Sequence, residues 1–404
     1  MRSLILSVTM LSLLAPRANA DVLDLFEDLQ PVSTLFTSNS STELDFGGDT
    51  CCTGSTCCTD SCCVEPPAPT MIGGSQLGST FFTTLNEARF SPPNFISNVA
   101  DNNSTIPQDR LFINYHFLND VPVSRDLNAN APDEYRDLSL YEIGLEKTFA
   151  DGNISAEVII PFSYQPDTTY NGAPDAGYPR VASEEIELQN IAFGLKALLA
   201  ETETAAYSVG VRLEAPTADP IRNVPGTFDI TIDNEAWAVT PYAAVLLTPT
   251  DNLFLQGFAS YRMQTTGNQL TSTAIIFANE KVREPAYLNL DAQLGYWLYR
   301  NHGGSGITGL QSSLELHYTA SDEPYQTTLA NAVFNAPGGG VDMLNLTAGL
   351  TALLNDKTTV TAGMVLPLRD GSNTTIPNTV TSSFPTDRFM DWSLMLQVNH
   401  YFGK

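Results

Sequence analysis

The chain has 404 residues, with 45 acidic side chains against 19 lysines and arginines and a formal charge of -26. Such a surplus excludes binding to nucleic-acid phosphates, which needs a basic surface, and favours cations over anions at any wall it lines. Charged residues are only 16% of the whole, below the usual quarter. Mean hydropathy is -0.07, a value that strands with alternating lipid-facing and water-facing residues reach by averaging.

Arg2, the apolar run Leu4 to Leu14 and Ala18-Asn19-Ala20 read as the n-region, h-region and cleavage site of a secretory signal peptide over residues 1–20. Removing Arg2 and Arg17 with it leaves the mature chain at -28. No run of 18 apolar residues follows, so no membrane-spanning helix is expected. Residues 21–70 read as a periplasmic stretch. Val22, Leu25, Phe26 and Leu29 have helical spacing after Asp21, a suitable cap.

Next come three cysteine doublets, Cys51-Cys52, Cys57-Cys58 and Cys62-Cys63, and a Pro-rich linker. In an exported chain an even count points to disulfides, here up to three bridges with about 15 connectivities. Crosslinking to a partner protein is a second reading. Zinc is a third, but adjacent doublets do not match paired C-x2-C knuckles, and no metal or other cofactor is expected. Residues 71–108, with Gly73-Gly74 and Pro92-Pro93, read as an irregular segment suited to threading a lumen as a plug.

From Asp109 the chain falls into stretches of alternating polarity separated by breakers. Twelve are expected. The first three are Arg110–Leu118, Leu138–Phe149 and 154–162, the second and third joined by a tight turn containing Asp151-Gly152. They continue with Leu188–Leu199, Ala205–Glu214, Ala236–Leu247, Leu253–Gln264 and Leu288–Tyr299. Thr308–Thr319, Leu344–Leu354, Thr358–Leu368 and Phe389–Phe402 complete the set. Short links alternate with long ones such as 119–137, 165–187 and 215–235. That rhythm belongs to a closed antiparallel transmembrane β-barrel of about 12 strands over residues 109–404, all-β, with both termini periplasmic. A soluble β-sandwich would not require the short–long alternation.

The face opposite the apolar one should line the pore. It carries Arg110, Asn114, His116, Glu142, Glu146, Glu157, Lys196, Arg212, Arg262, Asp291, Glu315, His317 and Asp391. Glu214, Gln256, Asn289, Gln293, Gln311, Asn345, Gln397 and Asn399 share it, with Phe112, Phe258, Trp297 and Tyr401 among them. An open lumen of this kind favours cations. The competing arrangement pairs Arg212, Arg262 and Lys196 with the acids across a packed interior. Catalysis is not expected: none of the four histidines is followed two positions on by serine, as in outer-membrane phospholipases, and G-x-S-x-G is absent.

The signal peptide, the opening strand Asp109-Arg110-Leu111-Phe112-Ile113-Asn114-Tyr115, the hairpin rhythm and the aromatic end resemble Gram-negative outer-membrane barrels. More loosely, they are similar to a family of outer-membrane proteins of phenol-degradation (meta-pathway) clusters. The resemblance implies passive uptake of small, including aromatic, molecules. The cysteine doublets depart from it and leave a structural barrel, binding a partner or cations through its N-terminal region or acidic loops, as the alternative function.

The partners expected are outer-membrane lipid, small solutes, the barrel insertion machinery and a partner protein at the N-terminal region. Trp392, Tyr401 and Phe402 should carry the assembly signal, although Gly403-Lys404 follow the aromatic end. Truncating Tyr401–Lys404 is expected to lower the amount of heat-shifting band in the outer-membrane fraction much more than it lowers export. Normal assembly of the truncated chain would count against that role.

Overall fold

The computed structural model describes residues 67–74, 77–83, 87–126, 134–165, 185–223, 230–272, 280–282, 284–301, 304–321, 326–329, 332–335, 341–371 and 387–402. The signal peptide expected over residues 1–20, the helix expected at 21–30, the cysteine doublets and the last two residues lie outside them.

Twelve strands form the barrel. They are β1 (Arg110–Asp126), β2 (Glu134–Phe149), β3 (Ile154–Gln165), β4 (Ala192–Thr202), β5 (Ala205–Glu214) and β6 (Ala238–Leu247). Then follow β7 (Leu253–Gln264), β8 (Tyr287–Arg300), β9 (Ile307–Ser321), β10 (Asp342–Leu354), β11 (Thr358–Pro367) and β12 (Trp392–Tyr401). Each pairs antiparallel with its sequence neighbours, and β12 returns to β1 in a register running from Trp392↔Asn119 to Tyr401↔Arg110. The sheet is closed.

Alternation explains the two faces. In β12 the residues Leu394, Leu396 and Val398 are exposed on the outside, whereas Ser393, Met395, Gln397 and Asn399 are buried inside. Leu294, Tyr296 and Leu298 of β8 are likewise exposed, each at 46% or more. This apolar exterior is what lipid requires.

Two ends differ. At one, short turns at 150–153, 203–204, 248–252, 301–306 and 355–357 join the strands; at the other the connections are long. The turn after β2 is closed by the Gly152 N–H donating to Phe149 O at 3.1 Å. Ala150 (φ 50°) and Asp151 (φ 56°) are both left-handed, as the primed hairpin turn demands. Asn355 and Asp356 repeat this after β10.

Three expectations are corrected. The first long link is mostly strand, because β1 and β2 stay paired beyond the expected ends, through Val121↔Arg136 and Ser124↔Glu134 with register shifts around Pro122. The stretch expected over Leu188–Leu199 is broken: Glu185–Leu188 pairs with the upper part of β3, and β4 starts only at Ala192. Opposite that break stands Pro161, which has no N–H to give; its carbonyl accepts from the Gln189 N–H at 2.9 Å. The third correction concerns Asp391 and is given below.

Inside, aromatic rings lie over glycines of the adjacent strand. Phe112 faces Gly144, Tyr242 faces Gly210 and Phe254 faces Gly295. A Cβ on Gly295 would sit 1.8 Å from Phe254 Cζ, so only a glycine admits the ring. Gly295→Ala should therefore cost about 1–3 kcal/mol by overpacking. Its denaturant midpoint should fall relative to that of Gly257→Ala, where the nearest atoms stand at 3.4 Å or beyond.

Candidate functional site

The lumen is the site, and two pieces of the chain run through it. Residues 67–74 rise from the short-turn end, where Pro69 lies beside Thr248, Thr250 and Asp251. At the far end the chain makes a hairpin, Leu77–Thr83 with Glu87–Ile96, whose Glu87–Arg89 pairs with Ser124–Asp126 of β1. Residues 97–108 then descend to the rim at Asp109. The two segments meet where the Met71 N–H donates to Asn103 O at 2.9 Å. Met71, Ile72, Asn98, Val99, Ala100, Asn102, Asn103, Ser104 and Thr105 are all at most 3% exposed.

Side chains of the wall bind the backbone of these segments. Gln293 donates to Thr70 O (3.1 Å), Gln397 to Ile72 O (2.6 Å), Thr347 to Gly73 O (2.8 Å) and Asn345 to Gly74 O (2.7 Å). Glu315 accepts from the N–H groups of Ile72 and Gly73, both at 2.8 Å. On the descending segment, Arg212 donates to Asn98 O (3.1 Å), Arg110 to Asn102 O (2.6 Å), Gln256 to Asn103 O (3.1 Å) and Lys196 to Ser104 O (2.9 Å). Buried polar groups that would otherwise be unsatisfied are thus paired.

The cations also bind carboxylates. Arg110 and Lys196 share Glu146, at 2.8 and 2.9 Å. Arg212 is 3.4 Å from Glu157, and Arg262 reaches Glu214 and Glu284, both at 2.8 Å. Asn114 donates to Glu142 at 2.8 Å and accepts from Asn102 at 2.6 Å. His317 stands between Asp291 (2.8 Å) and Glu315 (3.2 Å), and both Asp291 oxygens also accept from the Asn98 Nδ2.

Among the described residues, eight carboxylates face this interior (Asp101, Glu142, Glu146, Glu157, Glu214, Glu284, Asp291 and Glu315) against four cations (Arg110, Lys196, Arg212 and Arg262). The interior is therefore acidic. At the short-turn rim, burial alone would raise the Asp109 carboxyl, but hydrogen bonds from Lys147 and Thr148 hold it below its usual value.

Twelve of the thirteen charged or polar pore-facing candidates thus point inward, among them His116, which is 1% exposed. Asp391 does not. It precedes β12, its side chain is 52% exposed, and it pairs with Arg388 at 2.5 Å. The inward alternation begins only at Ser393. Glu284, which lies outside any alternating strand, and Thr347 were missed; the Asn98–Ser104 run falls within the segment expected to thread the lumen, and its signal is the density of Asn, Asp and Ser after Pro92-Pro93. Among the described residues no group of three or more His, Cys, Asp or Glu is placed to hold a metal.

At the rim, Phe402 donates its N–H to Asp109 O at 3.0 Å, and Lys147 lies 5.8 Å from the Phe402 ring. Trp392 packs on Phe117 at the opposite end of β12, with ring centroids 5.4 Å apart.

No protein-family model matches the chain, and no curated protein sequence does. Among solved structures, an outer membrane channel from Pseudomonas putida F1 is similar over 76% of this chain and 100% of its own, at 10% identity and a TM-score of 0.49. The β domain of the Bordetella autotransporter BrkA covers 73% of this chain and 100% of its own, at 14% identity and 0.42. The Ralstonia pickettii toluene transporter TbuX covers 74% and 90%, at 10% identity and 0.32. The closed barrel itself rests on the strand pairing described above, not on these likenesses.

Arg110→Met should leave Asn102 O without this donor and Glu146 with Lys196 as its remaining cation, at a cost of about 1–3 kcal/mol for unpairing a buried group. The check is the temperature at which the folded band converts to the unfolded one in detergent. Adding Glu146→Gln to the same chain should deepen the loss, because it removes the carboxylate that the buried Lys196 binds.

Proposed function

We propose that the chain is an outer-membrane channel or passive transporter for small solutes, closed in this state by its own residues 67–74 and 97–108. The observation that carries this reading is how those residues are held. Neutral side chains of the wall (Gln256, Gln293, Asn345, Thr347 and Gln397) and charged ones (Arg110, Lys196, Arg212 and Glu315) bind backbone groups of the plug, and water could take the place of that backbone if a segment withdrew. A barrel needing only a filler would be served better by apolar packing, which lacks the cost of desolvating polar groups.

The acidic interior favours cations. Phe258 and Trp297 inside it are compatible with solutes that are partly apolar, including the aromatic ones implied by the family resemblance. The reading assigns no enzymatic activity. It directs the short-turn end, where Pro67 and Phe402 lie, to the periplasm, so the cysteine doublets would follow there as disulfides or as a contact for a partner protein.

A second reading, a structural or anchoring barrel, is favoured by one observation. The cavity between His116, Glu142, Pro161, Gln189 and Glu214 is about 20 Å³, room for about one water.

Planar-bilayer recordings of the purified full chain separate the two. The pair Asn345→Ala and Thr347→Val strips the hydrogen bonds from Gly73 O and Gly74 O, each worth about 1–3 kcal/mol when a buried group is left unpaired. The double variant should be open at least tenfold more often than the native chain and pass K⁺ better than Cl⁻. Sealed membranes with both proteins would leave only the anchoring reading.

A further inference from the structure

We propose that Glu315, with Asp291 and His317 beside it, is a binding site for a small branched-alkyl cation of the guanidinium type, and that residues 72–73 occupy it as a built-in competitor. The inference rests on the channel reading and names the solute class of that lumen.

The first observation is the fork. The two oxygens of one buried carboxylate each take an N–H at 2.8 Å, from the successive residues Ile72 and Gly73. Two parallel N–H···O bonds are the way a carboxylate receives a guanidinium, and with charge on the donor they are roughly twice as strong. The plug offers the same hydrogens without the charge.

The second is a shortage of donors. Gln293, only 2% exposed, gives its Nε2 to Glu315 at 2.6 Å and to Thr70 O, yet its Oε1 has no hydrogen-bond partner. Turning the amide over would press that oxygen against the carboxylate, so its orientation is set. Gln397, 1% exposed, gives its Nε2 to Ile72 O, and its Oε1 is unpartnered too. Two buried acceptors are thus unfilled, a state that natural interiors seldom leave. A guanidinium carries five N–H groups where the plug brings two.

The third is charge. His317 lies 2.8 Å from Asp291 and 3.2 Å from Glu315, so even a charged imidazole leaves one of the two carboxylates uncompensated. The plug meets that excess with neutral hydrogens only.

The fourth is shape. Gly349 and Gly363 are paired across β10 and β11, and a Cβ on either would lie 2.3 or 2.8 Å from side-chain carbons of Ile72. The two glycines form a notch in the wall that takes a branched alkyl group of isoleucine size.

Gly73 supplies the test. Its φ is +102°, and a Cβ there would sit 2.0 Å from Asp101 Oδ1, so Gly73→Ala is incompatible with the docked segment. Calorimetry on the full chain in detergent micelles uses isobutylguanidinium, neutral isobutylurea and anionic isovalerate as probes. G73A should bind isobutylguanidinium at least tenfold tighter than the native chain does, and at least tenfold tighter than it binds isobutylurea. G73A/E315Q should lose the preference for the cation.

Equal binding of guanidinium and urea, or a preference that survives E315Q, overturns the site. If G73A lacks the heat-shifting band of a folded barrel, Ile72→Ala, which only empties the notch, takes its place with the same three probes. The same two results would then overturn the site, and a tenfold preference for the cation would support it. Currents through G73A in KCl alone report on the channel separately. Current without cation preference ends this proposal and spares the channel. Cation preference without current supports the site and ends the channel.

Discussion

Everything in this molecule depends on one pairing, that of β12 with β1. A sheet edge carries a row of N–H and C=O groups, and lipid has nothing to bond them. The ten-residue register from Trp392↔Asn119 to Tyr401↔Arg110 removes both edges at once. Closure then imposes the rest. Residues of one parity face outward and must be apolar, whereas the other parity shares a single enclosed volume with whatever fills it.

That volume explains the chemistry of the interior. Side chains such as Gln293, Gln397, Asn345 and Thr347 are costly to bury unpaired. In the closed barrel they meet a backbone that is equally costly to bury unpaired, so each satisfies the other. The cations do the same with charge added: Arg110, Lys196 and Arg212 each bind a plug carbonyl and at least one carboxylate. The plug is held as a strand is held in a sheet, except that its partners are side chains. Such an arrangement can be specific and still exchange with water.

Much of the barrel was legible because its strands have a period of two and one side faces lipid. Leu111, Ile113, Ile143 and Leu145 alternate with Phe112, Asn114, Glu142 and Glu146, and this periodicity locates both strands and lumen. The pattern fades where lipid ends. Beyond Leu118 the sequence runs Asn119-Asp120-Val121-Pro122, which breaks the alternation, so the extension to Asp126 had no periodic signal. Asp391 was misplaced for the same reason: the alternation was carried one step beyond the pairing that enforces it. At Leu188 the sequence is continuous, and only the presence of Pro161 on the neighbouring strand explains the break.

The sequence by itself determined the number and phase of the strands, the apolar exterior and the acidic balance, since each is a property of one residue and its near neighbours. Tertiary structure alone decided which carboxylate meets which cation, and that Glu315 takes the N–H groups of residues 242 and 243 positions away. It also decided that a pair of glycines becomes the seat of Ile72. These are relations between segments brought together by closure, and no local pattern encodes them.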